Sequence, residues 1–494
     1  MPLRTAIVIG SGFSGMATAS FLAKDGWKVT VLEKHDQPGG RARKMEVEGF
    51  TFDMGPSWYW MPDVFERYFN QFGKKVSDYY ELKRLDPSYR VYYRDTLLDV
   101  PADFNALKQL FESIEKGSGV QLEKFMDEAA YKYKVGIDKL VFKPGRSVTE
   151  FIDPDLLSGI FKLDVFTSIS NHVKKHFKNP LLRELMEFPV LFLGALPQKT
   201  PALYSLMNYA DVKLGTWYPK GGMYKIVEGM YQLACELGVE FRFNAPVHEL
   251  LVKNNHISGV KTNQEVFTAD VIVSGADYHH TEMDLLPHAS RSYSETYWQE
   301  RVMAPSCLLY YVGLNKKLKD ITHHTLFFDS DFSRHGHEIY TEPQWPSDPL
   351  FYVSATTVTD LSGAPAGNEN LFFLIPIAAG LHQDTEELRE QYFNRIIDRY
   401  EQRIGESIRP HIIYKKSYSV SDFRKDYHAF KGNAYGLANT LLQTAILKPS
   451  CKSKKIRNLY FTGQLTVPGP GVPPSLISGE VVAKEVGKAF ANQP

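Results

Sequence analysis

The stretch Thr5-Ala-Ile-Val-Ile-Gly-Ser-Gly-Phe-Ser-Gly15 decides the fold of this 494-residue chain. Its apolar run predicts a buried strand, and the three glycines that follow have the spacing of a dinucleotide-binding turn. Gly10 permits the tight turn, Gly12 lets a pyrophosphate approach the backbone, and Gly15 lets the next helix pack closely on the strand. That helix, predicted over residues 16–25, points its amide-rich N-terminus at the phosphates.

A second strand and an acid complete the nucleotide-binding pattern. Residues 28–33 predict a strand that ends at Glu33, 18 residues after Gly15, which is close to the spacing of a ribose-binding carboxylate. A solvated strand end is the alternative interpretation of Glu33 alone. The next segment, Gln37-Pro-Gly-Gly-Arg-Ala-Arg43, adds a second glycine pair. A flavin enzyme needs such an element to seat an isoalloxazine ring, whereas an NAD dehydrogenase does not.

The composition indicates a globular protein of at least two packed cores. Its 57 basic and 57 acidic residues balance, which argues against a nucleic-acid partner. Cys235, Cys307 and Cys451 form no paired framework, so we expect a reducing, cytoplasmic setting without disulfides or zinc. The first strand starts near residue 5, so we expect no signal peptide. No apolar run reaches the roughly 18 residues of a membrane span, so we expect any membrane association to be peripheral.

The predicted secondary-structure pattern changes in the middle of the chain. Residues 147–208 have helical periodicity without alternating strands, which predicts an inserted domain rich in Phe, Leu and Tyr. Its apolar face is expected to include Phe151, Leu156, Leu157, Ile160 and Phe161. Other predicted elements are helices over 63–73, 105–133, 224–237 and 385–403, paired strands over 89–100, strands over 239–244, 247–253, 259–262, 306–314 and 350–374, and a loop over 361–370.

Several polar or aromatic residues in this region have two interpretations. Residues 270–277 predict a buried strand, and Asp277 at its end is either a helix N-cap or a ligand contact. The aromatic run Trp58-Tyr59-Trp60 either packs in the core or lines an apolar site. The histidine pairs at 279–280 and 323–324 lack metal-ligand spacing, so no metal site is expected.

The last part of the chain matters as much as the first. Residues 458–463 predict a strand that ends at Gly463, and a loop rich in Pro and Gly leads to a helix predicted over 475–490. A helix N-terminus delivered by this loop could stabilise the negative charge that a reduced flavin acquires near N1. A tight C-terminal turn is the alternative.

Together these motifs resemble those of the bacterial phytoene desaturase type of carotenoid desaturase, within the flavin amine oxidase-like superfamily. The motifs are Ile9-Gly-Ser-Gly-Phe-Ser-Gly15, Glu33, Pro38-Gly-Gly-Arg-Ala-Arg43, Gly49-Phe-Thr-Phe-Asp-Met-Gly-Pro56, Tyr218-Pro-Lys-Gly-Gly222, Ser274-Gly-Ala-Asp277 and Tyr460-Phe-Thr-Gly-Gln464. They span nearly the whole chain. Trp58-Tyr59-Trp60 is bulkier than the usual sequel to the Pro56 turn, which leaves the choice of substrate open.

The resemblance implies an α/β fold, in which a Rossmann-like FAD-binding domain carries an inserted α+β substrate-binding domain. Residues 1–100, 216–290 and 420–494 would bind FAD, and residues 101–215 and 291–419 would bind the substrate and the membrane. No catalytic residue is assigned. The residues implied in FAD binding are Gly10, Gly12, Phe13, Ser14, Gly15, Glu33, Lys34, Gly40, Arg41, Ala42, Gly55, Pro56, Val247, Gly463, Gly471, Val472 and Pro473.

The implied activity is desaturation of a long apolar carotenoid, foremost phytoene towards lycopene, by hydride transfer to the flavin. A membrane surface and a quinone or oxygen as electron acceptor are the implied partners. Alternatives within the class are a later-pathway desaturase that takes a hydroxylated or cyclic carotenoid, and a C30 carotenoid desaturase. Outside it, an amine oxidase would need an aromatic cage and a lysine near the flavin, for which Lys220 and Lys225 are unproven candidates. A non-catalytic FAD-binding protein is disfavoured by the intact set of motifs.

Overall fold

A computed structural model describes residues 3–151, 163–440 and 443–491. The strands, numbered in chain order, are β1 (Thr5–Ile9), β2 (Lys28–Leu32), β3 (Lys44–Val47), β4 (Phe50–Asp53), β5 (Leu82–Arg84), β6 (Tyr89–Tyr93), β7 (Leu97–Val100), β8 (Trp217–Pro219), β9 (Glu240–Arg242), β10 (Val247–Lys253), β11 (His256–Thr262), β12 (Val266–Phe267), β13 (Val271–Ser274), β14 (Ser306–Leu314), β15 (His324–Phe328), β16 (Phe351–Ser354), β17 (Glu369–Ile377), β18 (Ile412–Tyr418) and β19 (Leu459–Phe461). The α-helices span Phe13–Lys24, Pro62–Asn70, Phe104–Ile114, Ser118–Val135, Ile169–His176, Pro180–Glu187, Leu206–Val212, Tyr224–Glu236, Tyr278–His280, Glu295–Gln299, Phe332–Tyr340, Glu386–Ile404, Val420–Tyr427 and Val472–Ala491.

The predicted nucleotide-binding sheet is present. Five parallel strands lie in the order β19-β13-β1-β2-β9, with β1 at the centre. Ile7 pairs with Ile272 on one side and Thr30 on the other. Because β1 is buried on both faces, its sequence is a continuous apolar run rather than an alternating one. The Rossmann-like part of the predicted fold class is confirmed.

The two ends of the chain meet beside this sheet. The first helix, Phe13–Lys24, packs against the last one, Val472–Ala491, and the approach is very close at Gly479. A Cβ at Gly479 would lie 2.6 Å from both the Ala17 Cβ and the Ser14 carbonyl oxygen. Glycine is therefore the residue that lets these two helices touch backbone to backbone.

A second, larger sheet provides the other layer of the molecule. Its seven strands lie in the order β18-β14-β17-β16-β15-β6-β7, and they are antiparallel except for the β15 and β6 pair. β6 and β7 come from residues 89–100, just before the predicted boundary at residue 100, yet β6 pairs with β15 of the other predicted domain and β7 extends the same sheet. The helices of residues 163–212 and this sheet give the α+β part of the predicted fold class.

Some predicted boundaries were wrong, for local reasons. The first helix begins at Phe13 rather than residue 16, because Gly12 is already its N-cap, and the last begins at Val472 rather than residue 475, with Pro473 and Pro474 in its first turn. The helix predicted over 105–133 is two helices, and the loop predicted over 361–370 overlaps the start of β17 at Glu369. Leu156, Leu157, Ile160 and Phe161 lie outside the described residues.

None of the helices in the described ranges combines the length and apolar character that a membrane crossing needs.

Candidate active site

The carboxyl ends of the parallel strands open onto a cavity of about 410 Å³. This is the edge at which ligands bind in open parallel sheets. All the residues implied in FAD binding lie in its wall except Gly15: Gly10, Gly12, Phe13, Ser14, Glu33, Lys34, Gly40, Arg41, Ala42, Gly55, Pro56, Val247, Gly463, Gly471, Val472 and Pro473. The fold thus brings residues from both ends of the chain to one cavity.

The glycines of the first turn lie in different surroundings. A Cβ at Gly12 would meet no atom within 4 Å, so this backbone faces open cavity space. A Cβ at Gly15 would lie 2.1 Å from the Gly10 carbonyl oxygen, so Gly15 lies behind the wall and lets the helix pack on β1. The cavity therefore has a backbone surface that any side chain at Gly12 would cover, which fits a bound pyrophosphate.

Two helix N-termini face the cavity. Phe13 and Ser14 start the first helix, and Val472 and Pro473 start the last one. The first-turn amide groups of Phe13 and Ser14 have no partner within their helix, whereas Pro473 has no N–H, so the last helix contributes chiefly the positive end of its dipole. Together they favour the anionic parts of a dinucleotide, so the residues present fit FAD.

Glu33 fixes the turn as well as facing the cavity. It is 4% exposed, and its Oε2 accepts hydrogen bonds from the backbone N–H (2.8 Å) and the hydroxyl (2.7 Å) of Ser11. Its Oε1 accepts from the backbone N–H of His35 at 2.9 Å. The carboxylate therefore ties the end of β2 to the glycine turn, and the alternative of a solvated strand end is wrong.

A buried charge pair lies deeper in the wall. Burial lowers the pKa of Arg41, although the nearby Asp277 carboxylate opposes this. Burial also raises the pKa of Asp277, against the effect of Arg41. The Arg41 Nε is buried without a hydrogen-bond partner among the described residues, and so can still donate to a ligand. Asp277 is a helix N-cap that accepts from the His280 N–H, and it also lines the cavity, so a ligand contact stays a prediction.

A strap that the sequence analysis did not single out closes one side of the cavity. It consists of the helix Val420–Tyr427 and His428, and Phe423, Asp426, Tyr427 and His428 of the strap face the cavity. The Asp426 carboxylate lies 3.2 Å from Arg43 Nη2, and the ring of Tyr427 lies 5.3 Å from the guanidinium carbon of Arg41. No local motif marks the strap, because its contacts with residues 41–43 form only in the folded chain.

Beyond Pro56 the cavity wall consists mainly of aromatic and aliphatic side chains. Trp58, Trp60, Met61, Phe65, Met207, Leu309, Tyr352 and Leu374 line this part. The Trp58 ring stacks on the His324 ring at 4.2 Å and packs edge-on against Trp60 and Tyr89. The aromatic run was predicted either to pack in the core or to line an apolar site. Trp58 and Trp60 both border the cavity, so the second interpretation holds for these two residues.

Polar groups behind the aromatic wall hold it in place. The Trp60 indole N–H donates to the Thr216 hydroxyl at 2.8 Å, and Thr216 in turn donates to Asp211 at 3.2 Å. The Tyr89 hydroxyl donates to the other Asp211 oxygen at 2.9 Å. Burial raises the pKa of Asp211 to about 7. This carboxyl therefore orients two aromatic rings from a site without an opposing charge.

One group outside the cavity has the spacing of metal ligands. Candidate ligand atoms of Glu128, His172 and His176 lie within 4.8 Å of one another. The Lys132 ammonium lies 3.4 Å from His172 Nε2, where its charge opposes a bound cation. The sequence analysis missed this group because its members come from two different helices.

Comparisons with known proteins agree with this geometry. The sequence profile of the flavin containing amine oxidoreductases matches residues 13–487. The chain is 41% identical over 479 residues to a carotenoid 3,4-desaturase of Haloarcula japonica, covering 97% of each chain. It is 31% identical over 491 residues to a zeta-carotene-forming phytoene desaturase of Myxococcus xanthus, covering 98% of this chain and 94% of the relative. A crystal structure of an oxidoreductase from Methanosarcina mazei has a TM-score of 0.64 at 15% identity, covering 97% of this chain and all of the other.

Fold and cavity define the class of protein as an FAD-dependent oxidoreductase. The chain belongs to the flavin containing amine oxidoreductase family, and within it to the carotenoid desaturases.

Proposed function

We propose that this protein desaturates a long apolar carotenoid by removing hydrogen from adjacent carbons. The observation that carries the proposal is the single cavity with two unlike parts, one made of glycine backbone and helix N-termini and the other of aromatic and aliphatic side chains. A hydrocarbon offers no group for a salt bridge, so its binding rests on apolar burial, worth about 0.8 kcal/mol per CH₂.

The residues implied in FAD binding would hold the cofactor along the glycine turn, between the two helix N-termini. When bound, FAD supplies the hydride acceptor for oxidation of the C–C bond. Trp58, Trp60 and Met61 would orient the polyene and exclude water. We assign no residue as acceptor of the proton.

Two carotenoid classes are candidates. Phytoene, converted towards lycopene, is the first. The second is a later-pathway carotenoid with an oxygen substituent, favoured by the 41% identity to a 3,4-desaturase and by polar side chains in the aromatic wall. An amine oxidase is disfavoured, since Lys220 and Lys225 pair with Glu81 and Glu228 and neither lies in the cavity wall.

The test is reconstitution with FAD followed by anaerobic incubation with polyene in liposomes. We expect bleaching of the flavin absorbance and a product with a longer conjugated system. Bleaching without a change in the polyene, or no bound flavin, would contradict the proposal. Turnover of an oxygenated polyene but not of phytoene would select the later-pathway candidate.

We propose further that the protein takes its substrate from a membrane surface and passes electrons to a quinone or oxygen. Support comes from the water-insolubility of carotenoids and from exposed apolar side chains such as Phe166, which is 86% exposed. Flotation with liposomes tests the first part, and multiple turnovers with each acceptor test the second.

A further inference from the structure

Four hydrogen-bonding side chains lie in the aromatic wall of the cavity or next to it, and we call them the polar patch: Ser57, His324, Tyr352 and Ser354. Ser57 and Tyr352 line the cavity directly. The Tyr352 hydroxyl lies 2.6 Å from His324 Nδ1, and the His324 ring is the one that stacks on Trp58. The patch therefore reaches the cavity surface through Ser57 and Tyr352.

Both ring systems of the patch are uncharged near neutral pH. Burial, together with His323, lowers the pKa of His324 well below 6.5. Burial raises the pKa of the Tyr352 phenol. The pair therefore recognises a ligand by hydrogen bonding and not by charge.

The patch has more hydrogen-bonding capacity than the described residues use. His324 Nε2 is buried without a partner among them, and the Ser57 and Ser354 hydroxyls lie close to the Tyr352 oxygen. The Tyr352 oxygen also keeps capacity in either tautomer of His324. If His324 Nδ1 accepts the hydrogen bond from the phenol, the Tyr352 oxygen can still accept a hydrogen bond from a ligand. If instead His324 Nδ1–H donates to that oxygen, the phenol O–H can still donate to a ligand. Buried polar groups left unpaired destabilise the protein, so a ligand that pairs with them gains affinity.

A small recess beside the patch gives such a ligand group space. Its volume is about 20 Å³, and Ser57, Ser354, Thr356 and Asn370 are in its wall. Ser57 also lines the large cavity, so the two spaces adjoin. This volume admits one oxygen-sized group, comparable to a single water molecule.

We propose that the polar patch binds a hydroxyl group carried by the polyene substrate, and that Tyr352 determines the preference for the alcohol over the hydrocarbon. The inference rests on the proposed function. An alcohol matches the patch in both tautomers of His324, because a hydroxyl donates and accepts, whereas an ether only accepts. A site built to hydrogen-bond a hydroxyl also discriminates against the analogue that lacks it, because its own polar groups are then left unpaired.

The experiment compares two polyenes of equal length and conjugation, one with a hydroxyl group and one without. FAD-loaded enzyme is assayed in liposomes for kcat and KM, and binding to the reduced enzyme is measured separately. We expect the wild type to prefer the alcohol by about 10- to 100-fold in kcat/KM, mostly through KM. The methyl ether of the alcohol should lie between the two.

Tyr352→Phe should remove most of this preference in both kcat/KM and binding. His324→Phe keeps a ring against Trp58 and should remove part of it. Tyr310→Phe is the matched control, since the Tyr310 hydroxyl donates to the Arg389 carbonyl in another core and Tyr310 is not in the cavity wall.

A wild-type preference below twofold would overturn the inference without any variant. An undiminished preference in a Tyr352→Phe protein with normal FAD content would also overturn it, while carotenoid desaturation would stand. If the wild type dehydrogenates neither polyene, the proposed function fails and the inference fails with it.

Discussion

The two parts of the cavity are built in different ways. The nucleotide part draws on residues 9–42 and 462–475, where glycine backbone and two helix starts line the cavity beside charged side chains such as Glu33 and Arg41. The aromatic part consists of large side chains such as Trp58 and Tyr352, held by His324 and Asp211 from distant segments. A site made of backbone can be predicted from a local sequence motif, whereas a site made of side chains depends on tertiary packing.

The largest expected effect is a loss of FAD affinity caused by a change in the nucleotide part alone. Gly12→Val should fold, because a Cβ there meets nothing within 4 Å, but its methyl groups would occupy the space next to the backbone. We expect FAD affinity to fall at least about 1000-fold, or about 4 kcal/mol, measured by equilibrium titration. Gly487→Val is the control, since Gly487 also has no neighbour within 4 Å but lies near the end of the last helix. Undiminished binding by Gly12→Val would mean that this turn does not hold the cofactor.

A pH experiment tests the support of the aromatic part. The pKa of Asp211 is raised by burial to about 7, so the folded protein holds this proton more tightly than the unfolded chain, in which the pKa is about 3.9. Its contribution to stability is complete below about pH 4 and is lost as the pH rises through 7. The unfolding free energy of the wild type should therefore fall as the pH rises from about 5 to 8. In Asp211→Asn this fall should be smaller by roughly 1–3 kcal/mol, measured by denaturant titration.

Asp384→Asn is the control, because its effect on stability should have the opposite pH dependence. Hydrogen bonds from Arg389 and Ser421 outweigh burial, which is the largest single effect, and lower the pKa of Asp384. Asp384 therefore stabilises the fold above about pH 4, and its replacement should cost most stability at the higher pH. An unchanged pH dependence in Asp211→Asn would show that the Asp211 carboxyl is not protonated in the folded protein.

A third variant separates the two parts by function. Trp58→Leu removes the ring that stacks on His324, so kcat/KM for the polyene should fall about 10-fold while FAD affinity stays within about twofold. Trp345→Leu, at a tryptophan that packs on Tyr392 away from the cavity, should leave both unchanged. A parallel loss of FAD from Trp58→Leu would mean that the two parts are not independent.

The smallest effect concerns the boundary between the parts. Arg41→Gln removes a buried charge beside Asp277, and FAD affinity should fall about fivefold through loss of charge-assisted hydrogen bonds. The exposed Arg395, which donates to the Ser347 carbonyl, supplies the control as Arg395→Gln. A gain in affinity would indicate that Arg41 opposes the cofactor.

The same contrast explains what could be predicted from the sequence. The central strand, the glycine turn and Glu33 were predicted in position, because periodicity and glycine spacing follow from local geometry. The fold class, with its inserted α+β domain, was implied by the family resemblance. Helix starts at Phe13 and Val472 were missed by three residues, since cap geometry is not visible in an apolar pattern.

The missed parts of the site share one property. The strap at residues 420–428 and the polar patch reach the cavity through contacts between segments far apart in the chain. His324 was considered only as a metal ligand, because its pairing with Tyr352 depends on the register of β15 against β16. Residues of this kind carry no sequence signal of their own, and the division into domains stays a prediction.

The close contact at Gly479 has a consequence for how the protein is made. The glycine turn is synthesised more than 400 residues before the helix Val472–Ala491 that lies against it. Until then the first helix has an uncovered face and the cavity lacks one of its two positive ends. We therefore expect a chain truncated before Val472 not to retain FAD, even where its first strand has folded.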